Sequence, residues 1–277
     1  MITVNSKILA TALRKIPSCT CPARIESRQG ECSLVQPYNE QCTIIIKLPE
    51  ARGLGDEYVT IDKKATLNDA KFCDGFNYGD TTSFDVCWNV DYPTISTYNI
   101  TKLAAIMPFV SKDPTRITCN YIQLTGGATI ATDNFAAAMI NDCGWVDNLC
   151  VHRETAEILI KLFKGKTVYV SNSPKEYLFE YGNVMVVVVP QDITFPPYQK
   201  IFNIQKTSSL TLTREDMLAT MATNEKIVEI AGIKFWKQYL VDMLAIDDGN
   251  IQMCVGDATV RFNTRNNSYV ISPVRNE

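Results

Sequence analysis

One histidine and ten cysteines are the residues whose chemistry most limits what this 277-residue chain can do. Because His152 is the only imidazole in the sequence, HExxH zinc sites and two-histidine relays are impossible within one subunit. Any Ser-His or Cys-His catalysis would have to use His152, which lies at a predicted strand-to-helix junction. One such hypothesis stays open, a cysteine hydrolase that pairs Cys143 or Cys150 with His152.

The cysteines are scattered and lack the spacing of a zinc or redox motif. No C-x-x-C occurs, and Cys19 and Cys21 form the only tight pair. Others, such as Cys42 and Cys87, stand within or beside strand-like segments. We therefore predict reduced, buried cysteines that act as small hydrophobic residues. The alternative is a metal or redox site near Cys19, Cys21 and Cys32.

Composition and charge are those of an ordinary globular protein. Hydrophobic residues make up 46% of the chain and charged residues 21%, which excludes disorder and collagen-like structure. The longest apolar run, Val184–Val189, is far shorter than the roughly 20 residues of a membrane-spanning helix. We expect a soluble cytoplasmic protein. With a net charge of −3, any contact with DNA must come from a locally positive face.

Apolar residues at helical spacing predict several amphipathic helices. The clearest cover 6–16 and 153–163, and Pro17 and Gly165 end them. Others are predicted over 62–71 and 100–107, from Thr213, and over 235–245. Strands are predicted over Arg116–Leu124, Tyr177–Tyr181 and Ile227–Ile230, among others, and 192–197 is predicted to be an irregular link.

The order of these elements predicts the fold class. Strand runs joined by hairpin-type turns favour antiparallel sheets over the regular alternation of a parallel sheet. Short helices and strand runs alternate about three times along the chain. The sequence therefore predicts an α+β fold with three domains, over residues 1–97, 98–202 and 203–277.

Three short motifs in a fixed order resemble the bacterial DNA polymerase III beta subunit, the sliding clamp. The first motif begins with the segment D-P-T-R-I-T-C-N-Y-I-Q-L at 113–124. Thr132-Asp133 follow it and match the start of the family's TDGHRLA-like strand end. F-P-P-Y at 195–198 resembles its FPDY-like link, and Y-V-I-S-P-V-R at 269–275 resembles its closing strand. The resemblance implies a compact or divergent clamp of repeated domains, the outer two trimmed. Its antiparallel sheets would lie outside and its short helices inside.

This resemblance implies a processivity factor for DNA replication that is not an enzyme and needs no cofactor or metal. The family forms a ring around duplex DNA, here expected as a homodimer, and tethers polymerase and clamp-loader peptides. Contact with DNA would be independent of base sequence and would use cations near phosphates. Three candidates lie on the first helix, two near the end of helix 153–163 and three in loops: Lys7, Arg14, Lys15, Lys161, Lys164, Arg24, Lys112 and Arg116.

The family's second site is a hydrophobic pocket between its second and third domains that takes a short linear peptide. Carried over position by position, its wall would be Cys119, Thr132, Asn134, Phe135, Ala137, Val270, Ser272, Pro273 and Val274. Phe135 replaces the family's usual histidine, so we expect a reshaped pocket. The alternative for Val270 and Val274 is ordinary strand core. The alternative function is a clamp-like interaction module that keeps the pocket but does not encircle DNA.

Overall fold

The computed structural model describes residues 1–277 except 72, 80, 81, 84–93, 145, 147, 174, 205–207, 257 and 275–277. The strand predicted around Cys87 and the matched Arg275 therefore lie outside the described residues. The chain divides into two compact units. Unit 1 comprises Met1–Thr97 and Ile158–Gln191, and unit 2 comprises Tyr98–Glu157 and Asp192–Glu277. The division into three clamp-like domains stays a prediction.

Unit 1 is built on a nine-stranded sheet and a separate two-stranded sheet. In chain order the strands are β1 (Ile2–Asn5), β2 (Ala23–Arg28), β3 (Glu31–Pro37), β4 (Cys42–Lys47), β5 (Glu57–Ile61), β6 (Gly75–Tyr78), β7 (Thr82–Ser83), β8 (Thr94–Asn99), β13 (Thr167–Asn172), β14 (Tyr177–Tyr181) and β15 (Val184–Val188). The large sheet has the order β7-β5-β2-β3-β4-β15-β14-β13-β8, and β1 pairs with β6. Neighbouring strands from β7 to β13 run antiparallel.

Unit 2 is built on an eight-stranded sheet and a hairpin. Its strands are β9 (Tyr121–Thr125), β10 (Ala128–Thr132), β11 (Ala136–Ile140), β12 (Leu149–His152), β16 (Ser208–Leu212), β17 (Ile227–Ile230), β18 (Ile233–Trp236), β19 (Ile251–Val255), β20 (Val260–Asn263) and β21 (Asn267–Ile271). The order is β12-β9-β10-β11-β21-β20-β19-β16, and β17 pairs with β18. All of these pairs are antiparallel.

Short helices complete the two units. They are α1 (Ser6–Lys15), α2 (Lys63–Asp69), α3 (Ile100–Ile106), α4 (Arg153–Phe163), α5 (Tyr198–Phe202), α6 (Arg214–Met221) and α7 (Lys237–Ile246). Six of them were expected from the sequence, and α5 was not. The predicted fold class, α+β with antiparallel sheets and short helices, is confirmed. In the described part of the chain, no helix is long and apolar enough to cross a membrane.

Helix α1 shows how the sequence produces a helix with a basic outer face. The Asn5 side chain caps it by accepting the N–H groups of Lys7 (2.9 Å) and Ile8 (3.3 Å). Leu9 and Leu13 are fully buried, and each contributes about 1.5–3 kcal/mol by leaving water. The cations of the last turn suit the negative end of the helix dipole and remain exposed.

The predicted strand Arg116–Leu124 is wrong in its first half. Ile117–Asn120 forms a 3₁₀ turn, and β9 begins only at Tyr121. The cause is local, because the Asp113 carboxylate accepts both the N–H (2.9 Å) and the hydroxyl (2.7 Å) of Thr115. Such side-chain bonds to nearby backbone compete with a strand ladder.

The nine described cysteines are free thiols. Six are buried, as predicted: Cys32, Cys42, Cys119, Cys143, Cys150 and Cys254. Cys19, Cys21 and Cys73 are partly exposed. Within the described residues, no three His, Cys, Asp or Glu side chains come together as a metal site, so nothing supports the metal alternative near Cys19, Cys21 and Cys32.

Candidate functional site

The large sheet of unit 2 brings together residues that are far apart in the sequence. Thr132 on β10 pairs with Ala137 on β11, which pairs with Val270 on β21. Val270 in turn pairs with Arg261 on β20. Because directly opposed residues point to the same face of a sheet, these side chains form one row across four strands. Ala137 and Val270 are buried in this row and form the floor of a groove.

A tight turn between β10 and β11 lifts Phe135 above this floor. Asp133 Oδ1 accepts the backbone N–H groups of Phe135 (2.9 Å) and Ala136 (2.8 Å). The Thr132 hydroxyl accepts the N–H of Asn134 at 3.1 Å, and Asn134 has a left-handed φ of +78°. Asparagine tolerates this conformation better than most residues. Phe135 is consequently 50% exposed.

Arg116 and Tyr239 hold this turn from the side. The Arg116 guanidinium lies 4.8 Å from the centroid of the Phe135 ring, and its Nη1 donates to the Asp133 carbonyl at 2.6 Å. The Tyr239 hydroxyl on α7 donates to Asp133 Oδ2 at 2.6 Å. Burial, together with this bond to a carboxylate, raises the pKa of Tyr239, so the phenol stays protonated and remains a donor.

Helix α5 supplies the opposite wall of the groove. Phe202 packs with Ile130, Ala137 and Val270 in one apolar cluster, which fixes the helix against the sheet. Ile201 also packs against this cluster. On the far side of the turn, the N–H of Ser272 donates to the carbonyl of Phe135 at 2.9 Å. The sheet row, the turn and α5 thus enclose the groove on three sides.

The groove has a volume of about 460 Å³, within the usual range for small-ligand and peptide-anchor sites. Its lining is mostly apolar at the floor and polar at the rim, and consists of Thr132, Asn134, Phe135, Ala136, Ala137, Lys200, Ile201, Asn203, Ile204, Thr259, Val270 and Ser272. Such an arrangement suits the apolar side chains of an extended peptide with a few polar contacts.

Six of the nine predicted pocket residues line this groove: Thr132, Asn134, Phe135, Ala137, Val270 and Ser272. Cys119 lies behind it, buried, with its thiol 3.2 Å from Asn134 Oδ1. Pro273 and Val274 are not among the described lining residues. The N–H of Val274 donates to the carbonyl of Lys234 at 2.8 Å, which holds the chain against β18.

The sequence did not identify the half of the lining that surrounds α5. Lys200, Ile201, Asn203 and Ile204 belong to this half, and Thr259 joins them from the position just before β20. The available signal was the order Tyr198, Ile201, Phe202 after two prolines, which is one turn of an amphipathic helix. A five-residue helix is too short for this pattern to stand out from a link.

The DNA-facing cations predicted for the first helix and for the end of helix 153–163 are exposed. Lys7, Arg14 and Lys15 lie on α1, and Lys161 and Lys164 lie at the end of α4 and just after it. Lys63 on α2 is a further cation of this group that the sequence did not single out. Burial, with a contribution from the nearby charge of Lys161, lowers the pKa of Lys63. Lys63 and Lys161 therefore lie close to each other in unit 1.

The three cations predicted to lie in loops differ from one another. The loop assignment is wrong for Arg24, which lies on β2, pairs with Glu26 and stacks 5.6 Å from the Tyr58 ring centroid. Lys112 is exposed in a loop, as predicted. Arg116 is also in a loop, but its guanidinium contacts the Phe135 ring and donates to the Asp133 carbonyl in the turn of the groove.

The alternative of a cysteine hydrolase finds no support in the thiols. Burial raises the pKa of both Cys143 and Cys150, whereas a nucleophilic cysteine needs a lowered pKa. The Cys150 thiol is 3.1 Å from Gln123 Oε1, and the Cys143 thiol is 3.0 Å from the Ile140 carbonyl. His152 ends β12 as predicted, and its Nδ1 accepts the N–H of Glu154 at 3.4 Å.

Comparison with solved structures identifies the fold. The DNA polymerase III beta subunit from Thermotoga maritima matches with a TM-score of 0.69 at 12% identity, covering 100% of this chain and 99% of that chain. The DNA polymerase III subunit beta from Pseudomonas aeruginosa matches with a TM-score of 0.72 at 15% identity, covering 100% of both. A sliding clamp from Bartonella birtlesii bound to griselimycin gives 0.72 at 14% identity, covering 99% of both.

No family model matches the sequence, and no curated protein matches it either. The class defined by the structure is therefore a fold class: this chain has the fold of a DNA sliding clamp. In particular, the structures compared here by fold are bacterial DNA polymerase III beta subunits, to which its sequence is 12–15% identical. The resemblance inferred from the order of short motifs is confirmed at the level of the fold.

Proposed function

We propose that this protein is a processivity clamp for DNA replication. It would encircle duplex DNA as a homodimeric ring and tether a polymerase and clamp-loader subunits through short peptides, in the cytoplasm. The observation that carries the proposal is the groove of unit 2, because six positions taken from the clamp pocket come together there in one cavity of suitable size. The positive helices of unit 1 support the DNA part of the proposal.

The two parts of this function rest on different physical interactions. The groove would bind apolar peptide anchors over its floor of Ala137 and Val270, with Phe135 as an exposed aromatic wall. The cations of α1 would meet phosphates without contacting base edges, which allows sliding. Because the protein only holds the polymerase near DNA, it raises local concentration and needs no catalytic residue.

Sedimentation analysis tests the ring. For a chain of 31.0 kDa, we expect at micromolar concentration a particle with at least twice that mass. A strictly monomeric particle would contradict the ring and favour the alternative, a clamp-like module that binds peptides without encircling DNA. Peptide binding measured on the same sample shows whether the groove functions independently of assembly.

A further inference from the structure

Two cysteines, Cys19 and Cys21, lie in the loop between α1 and β2 and are partly exposed. The chain bends at Thr20 and Cys21. Positions two apart are separated by at most about 7 Å in an extended chain, and by less in a bend. The Cα atoms of a disulfide usually lie about 4.4–6.8 Å apart. The backbone therefore places the two cysteines at a separation that a disulfide can span.

The loop that carries this pair is held at both ends by hydrogen bonds. At its start, the Lys63 ammonium on α2 donates to the carbonyl of Ile16 at 2.6 Å. At its end, the buried Gln36 amide on β3 donates to the carbonyls of Cys21 (2.8 Å) and Pro37 (2.9 Å). Because both ends are already ordered, joining the two sulfur atoms costs little additional conformational entropy.

The Cys19 thiol is turned toward Cys21. Its Sγ lies 3.4 Å from the carbonyl oxygen of Cys21 and 3.7 Å from that of Pro37. Since a thiol is a weak donor, these contacts do not tie the sulfur firmly to one position. Burial raises the pKa of the Cys19 thiol, and the charge of the nearby Cys21 side chain raises it as well. The two sulfur atoms therefore share one small, partly open region of the loop.

We propose that Cys19 and Cys21 form a reversible dithiol–disulfide site whose oxidant is a low-molecular-weight disulfide. The thiolate of one cysteine attacks a sulfur of the small disulfide, which forms a mixed disulfide and releases one small thiol. The thiolate of the other cysteine displaces the second small thiol and closes the S–S bond between Cys19 and Cys21. The protein loses two electrons and two protons, and the small disulfide gains them as two thiols. The site does not depend on the proposed clamp function.

The second, intramolecular step sets the product. Groups joined by a short linker meet at an effective concentration on the order of millimolar. With reduced glutathione at about 0.1 mM, the bridged form should therefore exceed the mixed disulfide about tenfold. In Cys19→Ser and Cys21→Ser, the remaining cysteine of the pair cannot form the bridge, so the reaction should stop at the mixed disulfide with glutathione.

Mass spectrometry after incubation with glutathione tests the site. The folded protein is incubated with oxidised and reduced glutathione, its free thiols are alkylated in denaturant, and the chain is digested with trypsin. Trypsin yields Ile16–Arg24, which contains both cysteines of the pair, and Gln29–Lys47, which contains the buried Cys32 and Cys42. We expect the first peptide to be unalkylated and lighter by two hydrogens, and the second to be alkylated at both cysteines. Dithiothreitol added before alkylation should restore full alkylation of the first peptide.

Three results would overturn this proposal. The first is full alkylation of Ile16–Arg24, or glutathione on its cysteines without a bridge. The second is a bridge that forms equally in Gln29–Lys47, because oxidation would then not depend on the folded geometry of the loop. The third is the absence of glutathione from the pair in both Cys19→Ser and Cys21→Ser, which would contradict the exchange step.

Discussion

The helices of unit 1 and unit 2 differ in the charges that they present to solvent. In unit 1, α1 carries Lys7, Arg14 and Lys15 and has no acidic residue. In unit 2, α6 begins with an arginine followed directly by Glu215 and Asp216. The chain's net charge of −3 therefore conceals a basic helix surface in one unit and a balanced one in the other.

The groove lies in the unit whose helices are balanced. If the proposed function is correct, unit 1 makes the stronger contact with DNA and unit 2 binds the peptide. Net charge is therefore a poor guide to a local basic surface when the cations are segregated on one set of helices. Under the proposed function, we expect a change in one unit to weaken one binding event and leave the other unchanged.

Removing the three α1 cations together should have the largest effect. The triple variant carries Lys7→Ala, Arg14→Ala and Lys15→Ala. For its binding to duplex DNA, the slope of the logarithm of the association constant against the logarithm of salt concentration should fall in magnitude by about 2.7, since each phosphate contact contributes about 0.9. At about 0.1 M salt this is a loss of several hundredfold in affinity. Titration of labelled duplex at several salt concentrations measures it.

A matched triple variant in unit 2 serves as the control for this loss. This control variant combines Lys102→Ala, Lys226→Ala and Arg265→Ala. It removes the same charge from unit 2, outside the groove. We expect a distinctly smaller change in the salt slope and unaltered peptide binding in both triple variants. Equal slopes for the two would break the distinction between the units.

Phe135→Asp should give the second-largest effect, on peptide binding. Loss of the exposed aromatic wall removes about 2 kcal/mol of apolar contact, or about thirtyfold in affinity. The thermal unfolding midpoint should stay the same, because Phe135 is already 50% exposed. Tyr169→Asp, at an exposed aromatic of unit 1, is the matched control. Unchanged peptide affinity in Phe135→Asp would remove Phe135 from the site.

Arg116→Ala distinguishes between the two roles considered for this residue. Because its guanidinium lies over Phe135, we expect peptide affinity to fall by about threefold through loss of the cation–π contact. The salt slope for DNA should not change. A slope reduced by about 0.9 with unaltered peptide binding would instead assign Arg116 to DNA, as the sequence predicted.

Tyr239→Phe should have the smallest effect. It removes one hydrogen bond to Asp133 and leaves Oδ2 less well satisfied, at a cost of about 1 kcal/mol of unfolding free energy. Differential scanning calorimetry should show the midpoint lower by about 2 °C. Peptide affinity should decrease only slightly, and DNA binding should be unaltered. A large loss of DNA binding would show that α7 contributes to the DNA surface after all.

The fold was predictable where local periodicity and long-range packing agree. Helices α1 and α4 have strong apolar stripes, and the Asn5 and Thr213 caps are local features. The segment after Asp113 was predicted wrongly, because the bonds of its side chain to Thr115 outweigh the strand propensity of Ile117. Strand propensity depends on context, and here the local turn chemistry prevails.

The site was half predictable for a related reason. Motif matching found the floor and turn of the groove, from Thr132 to Ala137 and at Val270, because these positions lie in short conspicuous segments. Lys200 and the rest of the α5 wall depend on tertiary packing of Phe202 against the sheet, which no local pattern reveals. Arg116 was recognised as a cation, but its partner Phe135 is set by the turn geometry.

Retention on circular DNA tests the central claim most directly. The protein is loaded onto nicked plasmid and separated from free protein by gel filtration at high salt, where direct electrostatic binding is suppressed. A topological ring should stay with the circle and be released when a restriction enzyme linearises it. Loss from the intact circle at high salt, or equal retention before and after linearisation, would contradict a ring around DNA.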